Sequence, residues 1–217
     1  MSEERRPADD TALAMMAHLD LTMAEIGFAP TFEAIGLGER VDVSRLVAGL
    51  LLRVSQLCDG FAGGQACAVA EMETLRIPID EFWAMTRPKD RVEQRLRILV
   101  AAALELELVE RMAPRLDAST VEAASDTTSA WRIVDLSSRA VVQELKTNPD
   151  RRDSLSLYAR RVIGEAAVLV QGIVVRREGM RLALTGGLDP ELQVSTVVVD
   201  GLLAAVATRV GALGLSV

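Results

Sequence analysis

The sequence predicts an all-helical, antiparallel bundle of six or seven helices, and three observations carry that reading. Half of the 217 residues are hydrophobic while only 3% are aromatic, a balance built from Ala, Leu and Val that favours helix over strand. Apolar residues recur at three- and four-residue spacing through most of the chain. The breaks between these stripes are short, which favours antiparallel neighbours. Val197-Val198-Val199 is too short for a strand, and its flanks are helical. With no Ser- or Gly-rich linker, residues 11–217 read as a single domain.

The elements follow in order. Residues 1–10 are charged and lack an apolar core, so they read as a frayed tail rather than a signal peptide. A first helix carries Leu13, Met16, Ala17, Ala24 and Phe28, ended by Pro30 and the glycines at 36 and 38. A second carries Val43, Leu46, Val47, Leu50, Leu51, Val54 and Leu57. Gly60 to Gly64 interrupts it, and a shorter helix follows over 65–75. Ile77-Pro78-Ile79-Asp80 then predicts a break and a short turn through Met85. Pro88 suits the first position of a long helix with Val92, Leu96, Leu99, Val100, Ala103, Leu104 and Leu108, reaching about Met112. Ser119-Thr120-Val121-Glu122 has capping-box form and opens the next helix, with a kink or break near Thr127-Thr128 before the run to Lys146. After Asn148-Pro149-Asp150, a long helix with Tyr158, Val162, Leu169 and Ile173 runs to Gly186-Gly187. Asp189-Pro190-Glu191 caps the last, which runs to about Leu213.

Composition excludes several chemistries. One histidine, His18, rules out a His-rich metal centre within one chain, and it reads as a solvent-facing or helix-packing residue. Cys58 and Cys67 are neither a redox CxxC nor part of a zinc pattern, and they favour a reducing, cytoplasmic setting. A net charge of −7 argues against general nucleic-acid binding. No apolar run reaches the roughly 18–20 residues of a membrane span. The glycine-rich stretch 60–64 follows a helix and lacks the lysine of a phosphate loop, so it reads as a loop or a helix–helix contact. Ser137, Ser138 and Ser154 have no histidine partner for nucleophilic catalysis. The arginine pairs at 151–152, 160–161 and 176–177 read as a solvated face.

Charges inside apolar stripes are the informative positions. Asp20, Glu107 and Glu165 each fall on such a face, and Arg53 lies at the edge of another. A buried carboxylate needs a partner, a hydrogen bond or a proton. Several carboxylates in one bundle can hold a di-metal site, but that architecture also uses Glu-x-x-His pairs, which this chain lacks. Ion pairing is the alternative, with Arg53 neutralising Asp20 or Glu107, and Arg161 pairing one turn on with Glu165.

The segment Leu157-Tyr158-Ala159-Arg160-Arg161-Val162-Ile163-Gly164-Glu165-Ala166 resembles an actinobacterial ferritin-like family. That family is related to the hydroxylase acting on methylthio-isopentenyl adenosine in transfer RNA. Residues 79–90, Arg115-Leu116-Asp117, Asn148-Pro149 and Ala212-Leu213-Gly214-Leu215 agree with it too, so the resemblance runs from about residue 13 to the end. It implies a ferritin-like bundle whose iron ligands would fall on Asp20, on Leu50 to Arg53, at Ala102, and on Ala130 to Ile133. Of these only Asp20 is a carboxylate, and leucine, isoleucine and arginine do not ligate iron.

Residues 52–57 with Asp59-Gly60 are also similar to the alkylhydroperoxidase-like family, over less of the chain and without its CxxC and histidine. The resulting expectation is a non-catalytic ferritin-like protein with no metal or other cofactor. It would act by association with another helical protein, as a homo- or hetero-oligomer, and Leu50, Ile133 and Trp131 would fill the former metal cavity. The alternatives are a di-iron hydroxylase-like enzyme acting on tRNA or a small molecule, and a bundle that binds a small molecule in the emptied cavity.

Overall fold

The structure is a computed structural model that describes residues 6–28, 36–61, 63–186 and 193–217. Among the described residues there is helix and no strand. The α-helices are α1 (Pro7–Thr22), α2 (Leu37–Asp59), α3 (Gly64–Met85), α4 (Arg91–Met112), α5 (Ala118–Ser125), α6 (Thr128–Thr147), α7 (Arg152–Arg176), α8 (Glu178–Thr185) and α9 (Gln193–Gly211). They outnumber the six or seven expected because two breaks subdivide the chain. One separates α5 from α6 and the other, at Arg177, separates α7 from α8.

Helix α4 is the axis of the bundle. It packs against α1, α6, α7 and α9, and every residue from Glu93 to Leu108 is buried. The triplet Ala101-Ala102-Ala103 lets neighbours approach on all sides. Helix α1 is nearly as enclosed, between α2, α3 and α8. Two contacts fix an antiparallel α3–α7 pair: Arg177, just past the end of α7, pairs with Glu71 near the start of α3, and Arg161 donates to the Met85 carbonyl at the end of α3. Arg151 ties the start of α4 to the end of α6 by bridging Asp90 and Glu144, the latter at 2.8 Å.

Several expected boundaries move, each for a local reason. Helix α1 starts at Pro7, inside the expected tail, because Pro suits a first helical position and because Arg6 to Asp10 are anchored. Asp9 is buried and accepts hydrogen bonds from Arg6 Nε and the Asp117 amide, and Arg6 also pairs with Asp117. The helix loosens into one π-turn over Met23–Gly27 before Phe28. Gly36 and Gly38 do not end that element: Gly36 is the N-cap of α2, and Gly38 lies inside it. Pro30 and residues 189–191 lie outside the described residues.

Helix α3 runs unbroken through Pro78. An interior proline costs about 3 kcal/mol, but Leu75, Ile79, Phe82 and Trp83 form one buried stripe across it, and their burial at roughly 1.5–3 kcal/mol each outweighs that cost. Helix α4 begins at Arg91 rather than Pro88, because the Asp90 carboxylate accepts from the Val92 and Glu93 amides at 2.9 and 3.0 Å. The capping box at 119–122 does not form: Asp117 is the N-cap of α5, without a side-chain cap. Gly60 lies against Leu13, so the expected helix–helix contact exists there.

Candidate functional site

At the centre of the bundle a guanidinium sits between two carboxylates. Arg53 projects inward from α2, Asp20 from the last turn of α1, and Glu105 from the middle of α4. Arg53 is 2% exposed, and neither acid is exposed at all. Arg53 Nη1 donates to Asp20 Oδ2 at 2.8 Å and also to Glu105 Oε1. Its Nη2 donates to the Ala124 carbonyl at 3.2 Å and lies 3.9 Å from Met16 Sδ. That carbonyl is in the last turn of α5, where a helix leaves its acceptors unused. One side chain therefore joins α1, α2, α4 and α5.

Polar atoms remain unmatched around this centre. Asp20 Oδ1, Glu105 Oε2 and Arg53 Nε are buried without hydrogen-bond partners. Burial, and then the adjacent Glu105 carboxylate, push Asp20 well above the usual carboxylate range, with Arg53 opposing them. Burial pulls Arg53 down, but Glu105 and Asp20 outweigh it and raise its pKa. A proton on Asp20 gives the cluster one positive and one negative charge, and supplies the donor that two facing carboxylates lack.

The sequence-derived partners divide. Arg53 pairs with Asp20, as expected, but its second acid is Glu105 and not Glu107. Glu107 faces the other way and pairs with Arg209 of α9 at 2.9 Å. The apolar stripe on α4 assigned an inside only to the Glu107 face, whereas α4 is inside on every face. The run Ala101-Ala102-Ala103 is the signal that an enclosed helix gives, and it brings Glu105 into play as well.

Glu165 is only half-buried and stands apart from the cluster, and Arg161 is not its partner but donates to the Met85 carbonyl. His18 packs between helices: it is buried, its Nδ1 lies 3.0 Å from the Met72 carbonyl, and burial lowers its pKa. Cys58 and Cys67 are free thiols. Leu50 and Ile133 are buried as expected, but Trp131 is 49% exposed and does not fill the interior. Its ring carries the Arg209 guanidinium at 4.8 Å and walls a side cavity of about 270 Å³ that reaches Met16 and Ala124.

Fold and centre together define a class: a helical bundle whose innermost polar layer is a carboxylate–guanidinium–carboxylate cluster. The chain belongs to a family described as ferritin-like domain, actinomycetes, whose family model matches residues 8–187. A comparison with curated proteins finds no match.

A di-iron centre, implied by the resemblance to hydroxylases of this fold, does not fit these residues. Two irons need several carboxylates and imidazoles around a shared space. Here the two carboxylates already face a covalently tethered cation, Leu50, Ala102, Ala130 and Ile133 offer no donor atoms, and His18 is turned to the Met72 carbonyl. Among the described residues no group of three or more His, Cys, Asp or Glu side chains is placed to hold a metal ion.

Proposed function

We propose that this chain is a non-catalytic ferritin-like protein that acts through association with another helical chain, its bundle centre closed by Arg53 instead of a metal. The carrying observation is the position of the Arg53 guanidinium between Asp20 and Glu105. A fixed monocation there, with the proton on Asp20, balances the charge of the two acids, cannot be exchanged and offers no open coordination site. Such a centre links helices but supplies no redox chemistry.

Association is supported by the outer face of α7. Leu157, Val168 and Val175 are 67%, 61% and 79% exposed, and with Gly164 they lie in one stripe at spacings of seven, four and seven. Among the described residues, nothing outside the helix's own backbone approaches Gly164 within 4 Å of where a side chain would start. A mid-helix glycine costs roughly 0.5–1 kcal/mol, a cost that close approach of a partner helix would offset.

The test combines metal analysis of the purified full chain with its mass in solution. The reading expects iron far below one ion per chain, and an oligomer that Val168→Glu dissociates. A near-stoichiometric iron content with activity lost on chelation would instead establish the hydroxylase-like alternative. A native mass equal to that of the Val168→Glu variant, with no partner retained by the native chain alone, would remove the associative role.

A further inference from the structure

A second cavity lies away from the central cluster, where the end of α3, the connection 86–90 and the first turns of α4 meet. It holds about 730 Å³, within the range of small-molecule sites. Its walls combine Trp83, Pro88 and Ile26 with the cations Arg87, Lys89 and Arg97.

Arg97 is the unusual member. It is 3% exposed, yet no carboxylate pairs with it among the described residues. Its Nη1 donates to the Trp83 carbonyl at 3.2 Å and its Nη2 to Gln94 Oε1 at 2.7 Å, both uncharged acceptors. Its Nε has no partner. The guanidinium lies over the Trp83 ring at 4.7 Å, and Trp83 Nε1 is likewise buried and unmatched. Burial lowers the pKa of Arg97, with only the Tyr158 phenol opposing it.

The other cations of this wall differ among themselves. Arg91 is matched by Glu39, whereas Arg87 and Lys89 stand exposed at the rim without an ion pair among the described residues. The two acids of the wall are engaged elsewhere, Asp80 with Arg76 at 3.3 Å and Asp90 with Arg151.

A buried guanidinium without a counter-ion is costly, and the usual remedy is an anion that brings its own charge. We infer that this cavity binds a small organic anion, a phosphate or carboxylate group on an apolar or aromatic body. Arg97 would neutralise the head group, Arg87 and Lys89 would draw it in, and Trp83, Pro88 and Ile26 would receive the body. The site is independent of the association reading. Arg97 and Glu105 are eight residues apart on α4, about 12 Å along its axis.

The probe is phenyl phosphate, with benzoate and inorganic phosphate in parallel, titrated into the full chain carrying Trp131→Phe so that fluorescence reports Trp83 alone. Saturable binding with a dissociation constant of about 1 mM or tighter is expected, with inorganic phosphate weaker because it lacks the apolar body. Phenyl phosphate or benzoate binding more tightly than the other identifies the preferred head group, and either result supports the site. Arg97→Gln should abolish binding. Arg87→Gln with Lys89→Gln, both on the surface and harmless to folding, should weaken it about tenfold. No saturation by phenyl phosphate or benzoate at about 10 mM, or equal affinity in the surface double variant, would overturn the proposal.

Discussion

Replacing Arg53 with methionine tests what the central cluster contributes. The substitution keeps an unbranched chain of similar reach but removes the guanidinium, leaving Asp20 and Glu105 side by side with no exposure to water. Breaking a buried ion pair by removing one partner costs about 3–5 kcal/mol, and here one guanidinium serves two acids and a helix-terminal carbonyl. The loss is therefore expected at the upper end, about 4–5 kcal/mol, against a total stability of about 5–15 kcal/mol. At this chain length it lowers Tm by roughly 8–20 °C. Urea unfolding by circular dichroism measures it, with the m-value checked for constancy. The companion variant Arg53→Met with Asp20→Leu and Glu105→Met removes the whole cluster. It should recover most of the loss, because a buried ion cluster replaced by apolar groups is near neutral or stabilising. A loss below about 1 kcal/mol for Arg53→Met, the value of an exposed pair, would refute the reasoning, as would a triple variant no more stable than the single one.

Other consequences can be measured on the same protein. Asp20 is held above its unfolded value of about 3.9, so its proton stabilises the fold below about pH 4 and that contribution is lost as pH rises through the folded value. Asp20→Asn removes this slope, and the native chain should lose stability relative to it by up to about 1.4 kcal/mol per pH unit above pH 4; parallel urea midpoints from pH 4 to 8 would contradict this. Cys67 is exposed, while burial and then Asp59 push the Cys58 thiol up, so iodoacetamide at pH 8 should modify Cys67 roughly tenfold faster, and mass spectrometry showing equal rates would be the contrary result. A methyl group on Gly179 would overlap the Pro7 carbonyl and Thr11, so Gly179→Ala should cost about 1–3 kcal/mol, and an unchanged Tm would show that α1 and α8 do not pack as described.

The parts of this molecule legible in its sequence are those set by local pattern. Helical periodicity gave the fold class, and Arg53 and Asp20 stood out as charges among apolar neighbours and prove to be paired. The errors arise where tertiary packing outweighs local signals. Pro78 marks a helix end by its own chemistry, yet the buried stripe on either side of it carries α3 through. Glu105 is not legible because one apolar stripe marks one buried face, whereas α4 is surrounded. Arg97 and its cavity have no sequence signature, since an arginine next to leucine and isoleucine reads as a solvated residue until its exposure is known. Trp131 misled in the opposite sense: a large aromatic reads as core, but on α6 it faces outward beneath Arg209.

Diffraction data collected at the iron absorption edge, from crystals grown with ferrous iron, bear most directly on the centre of the bundle. The structure predicts guanidinium density between Asp20 and Glu105 and no anomalous peak beside either acid. Two anomalous peaks there, with Arg53 turned away from both carboxylates, would contradict it.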